Sequence, residues 1–249
     1  MRKLLLCAVT AAFAVAMPAR SAEITVSAAA SLTNAFRELA QSFAAAHPGE
    51  RVLLNFAASD PLVQQIAKGA PVDVFASADQ DAMDKAERLK LLAPGTRRDF
   101  ATNTVVLVVP AASNVKVAGL ADLNVSGVQR LTMGNPASVP IGRYAKEALI
   151  QAGVWAQLEG KFVYGASVRQ SLDYVARGEV DGGFVYATDV MARKDKVKVV
   201  LNVPTATPVT YPIAVLAGAP QPQLARRFAA YALSPAGQAV LVKYGFGRP

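Results

Sequence analysis

"EITVSAAASLTNAF", residues 23–36, sets the reading of the whole chain. An apolar strand runs through three alanines and a serine directly into a periodic segment, where Leu32, Phe36, Leu39 and Phe43 step by four, three and four. That spacing lays one apolar stripe along a helix. No charged residue stands at the junction, and only Ser31 and Thr33 offer hydroxyls. A helix start leaves backbone N–H groups unpaired and carries partial positive charge, so a turn this bare is able to hold an anion without any cationic side chain.

The same alternation continues outward. Strands are expected at 24–28, 51–56, 72–76, 104–109, 130–133, 161–164, 183–186, 197–201 and 212–217, with helical stretches between them, including Leu224, Phe228 and Tyr231 near the end. Continuous apolar strands separated by amphipathic helices call for sheets covered on both faces, which is the α/β class. Three further junctions deliver small or hydroxyl residues to a helix start: "FAASDPLVQQI" at 56–66, "NPASVPIGRYAKEAL" at 135–149 and "GASVRQSLDYV" at 165–175. Each alone is ordinary helix-capping chemistry. Four of them, all poor in charge, raise the case for a ligand site without naming the ligand.

Before this body lies a different kind of segment. Arg2 and Lys3 precede the apolar run "LLLCAVTAAFAVAM" and then "PARSA", the pattern of a secretory signal peptide over residues 1–22. The single cysteine, Cys7, falls inside it, after Leu6 rather than a small residue, so a lipid anchor there is disfavoured. About 227 residues then remain, enough for one large unit or two lobes. Export without a disulfide calls for a core large enough to hold the fold alone. No later segment has the roughly 18 uninterrupted apolar residues of a membrane helix.

The formal charge of +8 falls to +5 once Arg2, Lys3 and Arg20 are removed. The basic residues are scattered, so nucleic acid is not expected as a partner. With no cysteine after Cys7 and one histidine, thiol catalysis and Cys/His metal sites are not expected. His47, before Pro48 and Gly49, reads as the end of a helix rather than a base. Asp73, Asp79, Asp81 and Asp84 read as strand-end and helix-start residues. The chain shows no phosphate-loop, dinucleotide, zinc-protease or nucleophile-elbow motif, which favours a binding protein over an enzyme.

In this order, "ITVSAAASLTNAF", "GAPVDVFASAD", "VPIGRYAKEAL" and "GGFVYATDV", with the closing "SPAGQAVLVKYGF", resemble the bacterial periplasmic molybdate-binding proteins. These are the solute receptors of molybdate ABC transporters. The resemblance spans essentially all of the chain after residue 22. It implies a two-lobed periplasmic-binding-protein fold of type II, with the ligand in the cleft and two crossover strands near residues 104 and 208. Lobe 1 would be 23–104 plus 209–249, and lobe 2 would be 105–208.

It further implies a tetrahedral oxyanion held by neutral donors. Ser31 and Ser59 would give hydroxyl and amide, Ile141 and Val168 backbone N–H groups, and Tyr186 its phenol. The expected ligand is molybdate or tungstate, with no cofactor and no direct metal-ion ligand. The expected partners are a membrane permease and its cytoplasmic ATPase, and the receptor would be a periplasmic monomer. Sulfate or another tetrahedral oxyanion is the alternative ligand, and Asp60 is its motive, since a carboxylate entering the cleft would repel the ion. The order Asp60–Pro61 reads instead as an N-cap followed by the first helical residue. Arg143 reads as a helix residue facing solvent, with a cleft-rim charge that steers anions as the alternative.

Overall fold

The computed structural model describes residues 22–124 and 127–249; the expected signal peptide and Cys7 lie outside them. Within these residues the chain forms β1 (Ala22–Ala29), α1 (Thr33–Ala46), β2 (Glu50–Ala57), α2 (Ser59–Ala67), β3 (Val74–Ala76), α3 (Gln80–Arg88), β4 (Arg98–Asn103) and β5 (Val105–Pro110). It continues through β6 (Leu131–Gly134), α4 (Pro140–Gln151), α5 (Trp155–Leu158), β7 (Phe162–Gly165), α6 (Val168–Ala176), β8 (Gly182–Tyr186) and α7 (Ala187–Val190). The last elements are β9 (Val197–Val203), β10 (Val209–Val215), α8 (Pro222–Leu233) and α9 (Pro235–Lys243).

The strands make two five-stranded sheets, ordered β2-β1-β3-β10-β4 and β7-β6-β8-β5-β9. Both have the same plan. In each, one strand runs antiparallel to its neighbours: β10 between β3 and β4, and β5 between β8 and β9. Those two strands are the ones reached when the chain passes from one sheet to the other. Thr104 alone separates β4 from β5, and residues 204–208 connect β9 back to β10.

Period-2 alternation explains why the first sheet is covered on both faces. Val74 and Ala76 of β3, with Ile213 and Val215 of β10, face the main core, where Phe36, Phe43 and Phe228 pack edge to face at centroid separations of 5.4 to 6.2 Å. Phe75 and Ala214 face the other way, onto Leu62, Val63 and Ile66 of α2 and Met83 of α3. Each such aromatic or aliphatic side chain, fully buried, stabilises the fold by about 1.5–3 kcal/mol.

Helix ends follow local chemistry. α1 stops at His47, whose Nδ1 lies 3.0 Å from the Phe43 carbonyl, and the chain turns back at Gly49 with φ of +90°. α9 starts with Ser234 accepting from the Gly237 N–H and Pro235 in its first turn. All nine expected strand regions carry a strand. β4 was not expected. "RDFATN" is polar and charged at four of its six positions, and only Phe100 and Ala101 are buried. It becomes a strand by pairing with β10, more than 100 residues away.

Candidate functional site

The four bare junctions meet. Ala29, Ala30 and Ser31 before α1, Ala58 and Ser59 at the start of α2, Val139, Pro140 and Ile141 at the start of α4, and Val168 at the start of α6 line one cavity, completed by Ala78 and Tyr186. All are buried. The first sheet and its helices supply one side, the second sheet and its helices the other. The space between them is nearly closed, about 10 Å³, no more than a single water could occupy.

Three of the four helix starts are uncapped. Ala29, before the single 3-10 turn Ala30–Leu32 that leads into α1, and Ala58 and Val139, before α2 and α4, occupy the cap positions and offer no side-chain acceptor. The first N–H groups of these helices therefore lack a side-chain cap, and their residues line the cavity. At α6 the cap is Ser167, which accepts from the Gln170 N–H and leaves the Val168 amide free of it. Close approach of α4 to β6 requires Gly142, because a Cβ there would overlap the Gly134 carbonyl.

Side-chain hydroxyls are sorted by their partners. Thr33 spends its hydroxyl on the Ala30 carbonyl at 2.7 Å. Ser59 Oγ accepts from the Ala78 N–H at 3.1 Å, so its own proton remains to be donated. Ser31 Oγ lies 3.0 Å from the Tyr211 hydroxyl. The Tyr186 hydroxyl donates to the Ala78 carbonyl at a long 3.4 Å. Burial pushes the Tyr186 phenol well above the usual tyrosine range, which keeps it a neutral donor.

No charged side chain lines the cavity, yet two arginines close the cleft around it. Arg143, two residues after Ile141, reaches from α4 to Asp79 and to Asp60, with Nη2 2.5 and 2.8 Å from their respective carboxylate oxygens. Arg169, next to Val168, donates to the Ser31 carbonyl at 3.3 Å and to Asn34 Oδ1 at 3.1 Å, while its Nε pairs with the fully buried Asp189 at 2.7 Å. Burial raises the carboxyls of Asp79 and Asp189, and the facing guanidinium opposes the rise in each case.

Two expectations are corrected. Asp60 is not the N-cap of α2. Ala58 holds that position, Ser59 is the first helical residue, and the Asp60 carboxylate pairs with Arg143 and with Lys85 Nζ at 3.1 Å. Arg143 does not face solvent; its side chain is 23% exposed, because two carboxylates of the opposite side draw it inward. A wider opening beside these pairs is lined by Asp79, Asp81, Asp99 and Glu147 against the one Arg143, a balance unsuited to an anion.

Ser31, Ser59, Ile141, Val168 and Tyr186 thus all reach the same cavity. Ala78 and Tyr211 were not anticipated. Ala78 stands in the quoted "ASAD" but has no functional atom beyond its backbone, and Tyr211 is 180 residues from its partner Ser31.

Residues 24–247 match the family described as bacterial extracellular solute-binding protein. The chain belongs to this family. It is 39% identical over 242 residues to the molybdate-binding protein of Escherichia coli, with 94% of this chain and 93% of that protein covered. It is 35% identical over 232 residues to that of Haemophilus influenzae, covering 92% and 91%. Among solved structures, the substrate-binding domain of a putative molybdenum ABC transporter from Clostridium difficile superposes with a TM-score of 0.71 at 35% identity, over 92% of this chain and 100% of that one. The fold of this solute-binding protein is the two-lobed type II form, and the cavity lies between the lobes.

Proposed function

We propose that the protein captures molybdate (and tungstate) outside the cytoplasm and delivers it to the permease of an ABC transporter with a cytoplasmic ATPase. The observation that supports this most is the lining itself: uncapped helix starts and serine hydroxyls from both sides converge on one closed space, with no cation among them. An ion in a dry pocket needs its lone pairs met by donors. Helix-start amides, Ser31, Ser59 and Tyr186 are such donors, with Ile141 and Val168 acting through their backbone. Neutral donors avoid the larger desolvation cost of full charge pairing.

The lobes are assigned as 23–104 plus 209–249 and 105–208, a division supported by the membership of the two sheets. Residues 1–22 are assigned as a cleaved signal peptide and the mature protein as a periplasmic monomer. The pairing of Asp60 with Lys85 and Arg143 removes the motive for preferring sulfate.

Calorimetric and thermal titration of the mature chain with molybdate, tungstate, sulfate and phosphate tests the reading. Molybdate at a thousandfold over its Kd should stabilise the fold by about 4 kcal/mol. Silence toward molybdate and tungstate would end it, and heat from sulfate alone would move the assignment to that ion.

A further inference from the structure

Ser31 is the one hydroxyl of the cavity whose partner is another side-chain hydroxyl, and the bonds behind that partner fix their direction. The Thr104 N–H donates to Asn103 Oδ1 at 2.9 Å, which identifies the other branch of the amide as nitrogen. That Nδ2 donates to Thr188 Oγ1 at 2.9 Å and to the Tyr211 hydroxyl at 3.1 Å. With its oxygen receiving this bond, Tyr211 must place its own proton elsewhere. Tyr211 is fully buried, and among the described residues Ser31 Oγ is the acceptor within reach. Ser31 therefore accepts from Tyr211, and its own proton is left to point into the cavity.

We propose that Asn103 and Tyr211 are positioning residues that hold the Ser31 hydroxyl as a one-way donor, and so make the site select an oxyanion that carries no proton. A free serine hydroxyl turns to suit its ligand, donating to a bare oxygen or accepting from a protonated one. Locked by the chain Asn103 to Tyr211 to Ser31, it donates only. Ser59 is held in the same sense by the Ala78 N–H, a backbone donor that cannot reverse. A protonated oxyanion then meets two hydroxyl protons with its own. Each bond in the chain also polarises the next, so the Ser31 proton is a better donor than an isolated hydroxyl. The proposal rests on the oxyanion reading of the cavity.

The test is a mutant cycle read by calorimetry with molybdate on the mature chain. Tyr211→Phe keeps the ring against Phe100, Tyr186 and Phe246 but frees the Ser31 hydroxyl, and affinity should fall roughly three- to tenfold. The same variant should narrow the preference for molybdate over hydrogen phosphate. Asn103→Asp keeps the size of the side chain and the bond from Thr104, but puts an acceptor where the donor was. Tyr211 then donates backward, Ser31 donates to Tyr211, and the ion meets a lone pair. The loss should approach a hundredfold, part of it from the new charge.

Adding Tyr211→Phe to Asn103→Asp breaks the reversed chain, so the double variant should bind about fivefold better than Asn103→Asp alone. Charge repulsion or general loosening makes it no better, and that result overturns the proposal. If Tyr211→Phe does not unfold cooperatively on heating, Asn103→Asp is compared with and without Ser31→Ala. A loss that needs Ser31 sustains the relay, and one indifferent to Ser31 removes it. Should the wild type bind sulfate and not molybdate, the function assignment fails while the cycle is read with sulfate. If no oxyanion binds, both fall.

Discussion

The Arg143 guanidinium, carried by α4, grips the Asp79 carboxylate at the start of α3, with Nε 2.7 Å and Nη2 2.5 Å from the same Oδ2. Asp79 also caps α3, accepting from the Ala82 N–H at 3.2 Å. One ion pair thus joins the helices of one sheet to those of the other beside the cavity. Arg143→Ala leaves Asp79 buried without its cationic partner and Asp60 with Lys85 alone. Because the arginine is partly exposed, the cost should be about 1–3 kcal/mol, below that of a fully buried pair. Molybdate affinity should drop tenfold or more by calorimetry. Arg143→Lys should recover only part of it, since an ammonium cannot span both carboxylates as the planar fork does.

Side-chain donors and backbone donors should respond differently. Ser59→Ala removes a hydroxyl proton left free for the ion, and Tyr186→Phe removes one that leaves the long bond to the Ala78 carbonyl to meet it; each should weaken binding by about ten- to a hundredfold. Ile141→Val and Val168→Ile keep the amide and should stay within about threefold. Equal losses at all four positions would contradict this division of roles.

Gly142→Ala tests the packing that brings the α4 start into the cavity. Alanine favours a helix over glycine by about 1 kcal/mol, but its Cβ would overlap the Gly134 backbone, which cannot rotate away. The net effect should be a loss of about 1–3 kcal/mol, seen as a melting temperature lower by roughly 2–10 °C. Binding should fall with it, because α4 must move outward to relieve the contact.

Tyr186 and Tyr211 are fully buried, and their phenols lie well above the ordinary range because of that burial. Because the folded protein keeps these phenols protonated where the unfolded chain would ionise them, raising the pH above the ordinary tyrosine range favours unfolding. Their contribution to stability is complete below about pH 10 and disappears as pH climbs through the folded values. Molybdate affinity should therefore stay flat from neutral pH to about pH 10 as far as these phenols are concerned. Above that, stability should decline, and ultraviolet titration should show these tyrosines ionising only as the protein unfolds.

The strand pattern and the four junctions could be read in the sequence because each rests on local chemistry: apolar runs for strands, small and hydroxyl residues at helix starts. β4 could not, since its polar residues take strand geometry only when β10 returns to pair with them. Asp60 was misread for a related reason. The Asp–Pro order fits a cap, but Arg143 and Lys85 outbid the helix start for its carboxylate, and neither adjoins it in sequence. Tyr211 gave no local signal. Its role depends on two side chains at separations of 108 and 180 residues.

The cavity has no wall of its own. Ser31 and Ser59 stand on one body, Ile141 and Val168 on the other, and a single residue, Thr104, links the first strand pair across them. Grip and geometry are therefore the same variable. Whatever rotates the two bodies apart does not need to outcompete the ion or change its charge. It removes half of the donors at once, so a receptor that holds its cargo firmly is also one that can be emptied by leverage.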